Sequence, residues 1–195
     1  MSDSLFQRHR TLVLAATAAV CAAIGTGTFY FQADPVSKLS EQLQDSDAQV
    51  RYKAAKQLEE LGPNAHAAVD ELAISMADSD PRVRYRSAKA LSKMGELAAA
   101  AVPSLTEGLK DPDREVRYYC AKSLYKIGAA AEPARDAVVA ALTDEDSEVR
   151  KYLVKTLSEI GEEHEPSKKA VEKLLKDPSE DVRKAATDAL EDMQD

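Results

Sequence analysis

The chain has 195 residues, 34 acidic against 26 basic side chains, a formal charge of −8, three histidines, two cysteines and no tryptophan. Aromatic residues make up only 5%, too few for one large core of bulky side chains, and the many Ala, Leu, Glu and Lys residues favour helices. The acidic balance disfavours nucleic acid, whose binders carry an overall basic footprint, and points to a protein or peptide partner.

Residues 1–10, MSDSLFQRHR, form a short flank ending in Arg8, His9 and Arg10, and Thr11 to Phe31 then carry no charged residue. As a helix rising 1.5 Å per residue, residues 11–31 span roughly 31 Å, about the hydrocarbon thickness of a bilayer. The positive flank predicts a membrane anchor with a cytoplasmic N-terminus, leaving the rest of the chain extracytoplasmic, in a periplasm or at a cell surface. The alternative is a signal peptide cut near Val20-Cys21-Ala22, giving a secreted product. Phe29-Tyr30-Phe31, where an interfacial aromatic belt would lie, favours the uncleaved anchor. Residues 32–36 read as a linker.

From residue 34 to 195 the sequence repeats itself every 33 residues: Asp45, Asp78, Asp111, Asp144 and Asp177 are in step, as are Arg51, Arg84, Arg117, Arg150 and Arg183, each preceded by Val, and Leu58, Leu91, Leu124, Leu157 and Leu190. A fixed period of this size marks a solenoid of stacked supersecondary units. Each unit opens with a short helix A, whose apolar stripe is Val36, Leu39 and Leu43 in the first copy. Val69, Leu72 and Met76, then Val102, Leu105 and Leu109, then Val138 with Leu142, and Val171 with Leu175 follow in register. The Asp loop comes next. Asp47, Asp80, Asp113, Asp146 and Ser179 stand as N-caps of a helix B of about 14 residues, and Pro81 takes a first helical position that tolerates it.

Val50, Ala54, Leu58 and Leu61 make the apolar stripe of the first helix B. Gly62, Gly95, Gly128 and Gly161 are expected to end these helices in the left-handed conformation that glycine tolerates. Neither helix can bury its stripe alone, so pairs must stack. The expected fold is all-α, an α-α superhelix of about five two-helix repeats, monomeric and preceded by the N-terminal hydrophobic helix.

The D-x-D-x-x-V-R-x-x-A-x-x-x-L-x-x-(I/L/M)-G runs, which cover roughly residues 34–193, resemble HEAT repeats, in particular the short HEAT-like repeats named after phycobilisome lyases. The resemblance implies that the B helices line the concave, partner-facing side. It also implies that the Asp and Arg columns bond between neighbouring repeats, so that Asp45, Arg51, Asp78, Arg84, Asp111, Arg117, Asp144, Arg150, Asp177 and Arg183 form a structural ladder.

Two enzyme classes come with that resemblance, bilin lyases and iron-dependent deoxyhypusine hydroxylases. The hydroxylases converge several His-Glu pairs on iron, a ligand set that suits the metal, whereas this chain has one such pair, His164-Glu165, with His9 and His66 elsewhere. A bilin lyase would need a tetrapyrrole pocket and a phycobiliprotein partner, and an extracytoplasmic location works against both. No Ser/His/Asp or Cys/His set suggests nucleophilic catalysis. Cys120 falls on the buried side of its helix, where a thiol behaves as a small hydrophobe, and no disulfide is expected. The expectation is a non-catalytic chain without cofactor or metal.

Turning 100° per residue from the buried stripe, the opposite side of helix B carries Tyr52 and Lys56, then Tyr85 and Lys89, then Tyr118, Tyr119, Lys122 and Tyr125, then Lys155. One reading is packing: lysine stems cover apolar surface and tyrosine rings lean on the next repeat. The other is a basic, aromatic groove for an acidic protein or peptide. On the second reading the chain is a membrane-tethered interaction scaffold working through its B-helix face. A passive spacer, and a binder of anionic lipid surfaces, are the alternatives.

Overall fold

The computed structural model describes residues 34–160 and 164–193. Helices alternate along it in five pairs: α1 Pro35–Gln42 and α2 Ala48–Leu61, α3 Val69–Ser75 and α4 Pro81–Met94, α5 Val102–Gly108 and α6 Arg114–Ile127, α7 Arg135–Ala141 and α8 Ser147–Ile160, α9 Glu165–Lys173 and α10 Glu180–Asp192. The odd helices are the A elements and the even ones the B elements. Among the described residues there is no strand. Successive even helices lie side by side along their lengths, whereas the shorter odd helices meet their equivalents less closely.

The even helices start where the Asp pattern places them. Asp47, Asp80 and Asp113 accept hydrogen bonds from the backbone N–H of Gln49, Arg82 and Glu115, and Asp146 from those of Glu148 and Val149. Ser179 makes no such cap. The three glycines that end α2, α4 and α6 have φ of 55°, 58° and 69°, but their ψ values of −130°, −131° and −139° are far from the left-handed helical value of about +47°. The chain turns there directly into 3-10 segments, Gly62–Ala68, Gly95–Ala101 and Gly128–Ala134. A residue with a Cβ meets strain in that conformation, so glycine is needed even more than the sequence implies. Gly161 lies outside the described residues.

The core is one continuous seam. Leu58, Leu91, Leu124 and Leu157 are fully buried, as are Val83, Val116, Val149 and Val182. The end repeats depart from the expected stripe. Leu61 is 36% exposed, while its equivalents Met94, Ile127 and Ile160 are buried; among the described residues no repeat precedes the first to close over that position. Leu175, expected to share the stripe with buried Val171, is 42% exposed. It sits in the 3-10 turn Leu174–Lys176, whose tighter winding turns Leu174 towards the core instead. Outward positions of the first and last repeats are polar. Exposed Gln57 and Thr187 replace residues that are buried in the inner repeats, Ala90 and Ser123 for the first and Ala88 and Ala121 for the second.

The Asp and Arg columns lock repeat to repeat. Arg51 places its guanidinium on both carboxylate oxygens of Asp78, at 2.5 and 2.9 Å, and Arg84 holds Asp111 at 2.7 and 3.0 Å. Arg117 takes Asp144 at 2.8 and 3.3 Å, and Arg150 takes Asp177 at 2.8 Å on both oxygens. Each Arg therefore reaches the carboxylate of the following repeat. It also donates to the backbone carbonyl of its own repeat's Asp, from Arg51 to Asp45 through Arg183 to Asp177. The same Asp side chains accept the backbone N–H two residues on, at 2.8 Å in every repeat. Among the described residues Asp45 has no Arg from a preceding repeat and Arg183 no Asp from a following one.

A pH dependence follows. The Arg150 guanidinium holds the Asp177 carboxyl below its usual range. At Asp78 burial pushes the other way, but bonds from Arg51 and from the Asp80 backbone outweigh it, and that carboxyl too is lowered. A lowered carboxyl stabilises the fold fully above the unfolded-chain value of about 4 and loses that contribution as pH falls through the lower folded value. Urea midpoints should stay level from pH 7 to about 5 and then fall, and removing the Arg150 pair by Arg150→Ala should shallow the acid slope.

The expectation of a membrane-anchored, extracytoplasmic array is corrected here. No helix among the described residues is long and apolar enough to cross a membrane. Residues 11–31, on which the N-terminal hydrophobic helix and its signal-peptide alternative rested, lie outside the described residues, as do residues 32 and 33 of the expected 32–36 linker, whereas Pro35 and Val36 already belong to α1.

Candidate functional site

The helix caps and the ladder set the first turn of each even helix against the next, and the residues one to two turns later are thereby brought into register. On this face five tyrosines form a connected chain. Tyr85 of α4 meets Tyr119 of α6 edge to face at 5.5 Å between ring centres, Tyr119 meets Tyr118 at 4.9 Å, and Tyr118 meets Tyr152 of α8 at 5.4 Å. Tyr152 then contacts Tyr125 at 5.8 Å. Edge-to-face pairs at these distances add to burial, and Tyr85, Tyr118, Tyr119 and Tyr152 pack their inner sides on the core. The packing reading and an exposed aromatic surface are thus compatible, since each ring has a side for either.

Cations lie over these rings at distances that favour cation–π attraction. The Lys89 ammonium is 5.5 Å from the centres of Tyr85 and Tyr119, and that of Lys122 is 5.4, 5.8 and 5.5 Å from Tyr118, Tyr119 and Tyr152. Lys155 lies 5.4 Å from Tyr125, and Arg86 bridges Tyr52 and Tyr85 at 5.5 and 5.1 Å. Lys122 also donates to the Tyr118 hydroxyl at 3.3 Å. Burial opposes its charge, but that bond and the neighbouring tyrosines outweigh it and raise the Lys122 ammonium above its usual range, so it is fully protonated at neutral pH.

Eight of the nine candidate residues share this array. The ninth, Lys56, is exposed and pairs instead with Glu60 at 3.8 Å. The charge along the face is uneven. Glu59, only 5% exposed, gathers Arg86 at 2.6 Å, Lys93 at 3.1 Å and Lys89 at 3.3 Å. Burial acts to raise its carboxyl, but these bonds hold it below the usual range. No described carboxylate lies within ion-pair distance of Lys122, Lys126 or Lys155. The lysine column ends at Asp188 in the last repeat, where Ser158 donates to Asp192 at 2.7 Å.

Arg86 and the gathering role of Glu59 were missed from sequence. Their signal was available: Lys53, Arg86, Tyr119 and Tyr152 form a second column at the same 33-residue step, one position beyond the tyrosine column.

His164 and Cys120 have structural surroundings. His164 is the N-cap of α9, with Nδ1 at 2.8 Å from the Ser167 hydroxyl and accepting the Ser167 backbone N–H. Cys120 is fully buried, and burial pushes its thiol up, away from the reactive thiolate. Among the described residues no group of three or more His, Cys, Asp or Glu side chains is placed to hold a metal.

With the geometry in view, comparison with known proteins decides the family. The HEAT-repeat family model matches residues 36–124 and 102–191. The chain belongs to the HEAT-repeat family. Solved structures agree with that fold. The complex of CpcE and CpcF of phycocyanin lyase from Nostoc sp. PCC7120 shares 25% identity and a TM-score of 0.68, over 88% of this chain and 71% of that one. An engineered protein is similar at 24% identity and TM-score 0.67, covering 82% and 79% of the two chains. A designed armadillo repeat protein in complex with the peptide (KR)4 is similar at 20% identity and TM-score 0.70, covering 81% of each. No curated protein matches the chain. The five HEAT repeats form an all-helical scaffold of the kind suited to protein binding.

Proposed function

We propose that the chain is a non-catalytic HEAT-repeat scaffold that binds a protein or peptide through the tyrosine–lysine face of its even helices. The observation that carries this reading is the continuous Tyr85–Tyr119–Tyr118–Tyr152–Tyr125 chain capped by Lys122 and Lys155, neither of which meets a described carboxylate. Tyrosine is a recurrent hot-spot residue, offering large rigid contact area, and uncompensated lysine steers acidic partners. The designed armadillo protein with a bound peptide is a fold-level parallel for such use of a helical stack.

The test is affinity capture from source-cell extract with the full-length protein, beside a variant carrying Lys89→Glu, Lys122→Glu and Lys155→Glu that still melts cooperatively. Loss of a captured protein in the variant supports the reading; equal capture assigns the partner to another face. The likeness to the phycocyanin lyase complex supports a second reading, as a subunit of a bilin lyase. Tetrapyrrole absorbance copurifying with the protein would favour that reading over the scaffold.

A further inference from the structure

The repeat symmetry of the even-helix face contains its own example of carboxylate binding. In the first step of the array, Glu59 of α2 sits beneath Arg86, Lys89 and Lys93 of α4, with all three cations within 3.3 Å of its carboxylate. Advancing 33 residues turns Glu59 into Ser92, Arg86 into Tyr119, Lys89 into Lys122 and Lys93 into Lys126. Both lysines are kept and the acid is gone. One step further, Tyr125 occupies the acid's position and Glu159 that of the second lysine, so the cation pair is not preserved there. The α4–α6 step is thus the one among the described repeats that retains two lysines of the carboxylate-gathering set without an acidic side chain at the Glu59 position.

We propose that the surface made by Ser92, Tyr119, Lys122 and Lys126 receives a carboxylate from an acidic partner protein, in the role Glu59 plays one repeat earlier. This rests on the reading of the even-helix face as the partner surface and gives that surface a chemical preference. Lys122 is oriented by the Tyr118 hydroxyl at 3.3 Å and by the three rings it overlies, so little of its freedom remains to be lost on binding. Lys126, one turn further along α6, is exposed. Ser92 is buried, which places the incoming oxygen atoms outward of it, between the two ammonium groups. The Tyr119 ring, 5.8 Å from the Lys122 ammonium, offers apolar contact to the stem of an Asp or Glu side chain. At the first step the equivalent cations are already occupied by Glu59, so the acidic group of the partner is directed to the centre of the array.

The probe is a fluorescein-labelled decaglutamate peptide, with its anisotropy followed against the full-length protein at low salt. Ser92→Glu would supply an internal acid and should weaken the peptide by at least about tenfold. Because Ser92 is buried, the exposed Lys126→Glu is measured alongside and should weaken it comparably, with melting curves reported for both. Glu59→Gln should strengthen binding by releasing Arg86, Lys89 and Lys93. Lys169→Ala on the outer helix α9, which makes the same unit change in charge as Ser92→Glu, should leave it unchanged. Absence of binding to the wild-type protein overturns the proposal, as does unchanged binding in both Ser92→Glu and Lys126→Glu. If those two bind normally while Lys155→Glu does not, the Ser92 site falls and the even-helix face stands. If no substitution on that face matters, both fall.

Discussion

Arg117→Ala is expected to lower the melting temperature by roughly 5–10 °C, corresponding to about 2–4 kcal/mol. Arg117 is 9% exposed, and its guanidinium joins Asp144 of the next repeat to the Asp111 carbonyl of its own. Truncation leaves the Asp144 carboxylate, 7% exposed, without its counter-charge, and an unpaired buried charge is costlier than the pair itself was stabilising. The contact to Glu145, whose side chain is 85% exposed, adds little because water screens it. Lys122→Ala should cost less than about 1 kcal/mol, since it loses partly solvated cation–π contacts and one long hydrogen bond to the Tyr118 hydroxyl and leaves no buried charge behind. Arg183→Ala, at the open end of the ladder, should also fall well short of Arg117→Ala. Equal melting temperatures for Arg117→Ala and Lys122→Ala would refute the division between a stabilising column and a binding column.

The second large effect is expected at Gly108, in the last turn of α5. A Cβ placed there would lie 2.4 Å from the Cys120 sulfur and 3.0 Å from the terminal methyl of Met76. Overpacking of this kind costs about 1–3 kcal/mol, while Gly to Ala in a helix returns at most about 1 kcal/mol. The clash wins, because Cys120 is fully enclosed and its short side chain has few other places to go. Gly108→Ala alone should therefore destabilise by about 1–2 kcal/mol. In a Cys120→Ala background the hardest obstacle is gone, only the flexible end of Met76 has to shift, and the same change should become neutral or stabilising by up to about 1 kcal/mol. Urea denaturation of the four proteins closes the cycle; a Gly108→Ala effect of the same sign and size in both backgrounds would remove Cys120 as its cause.

Much of the architecture was legible because a solenoid writes each structural position five times. One Asp before a helix is weak evidence, but Asp47, Asp80, Asp113 and Asp146 at one interval mark a recurrent cap, and all four do cap. The stripe failed at the ends, at Leu61 and Leu175, where identical spacing meets a missing neighbour or a 3-10 turn. At the candidate site, helical periodicity was enough to put Tyr85, Tyr118, Lys89 and Lys122 on one face. It could not separate Lys56 from them, since Lys56 differs in its surroundings and not in its register.

What the sequence by itself determined is therefore the repeat, the two helices within it, their caps and the face each column occupies, all consequences of local geometry and a constant 33-residue step. What only the tertiary structure decided is how neighbouring copies are offset. That offset sends each Arg to the following Asp, joins Tyr118, Tyr119 and Tyr152 from two columns into one chain of rings, and folds Glu59 under three cations while leaving Lys122 without a described acid. The physical reason is that periodicity specifies equivalence between repeats, whereas the contacts between them depend on the distance and twist at which their buried stripes pack.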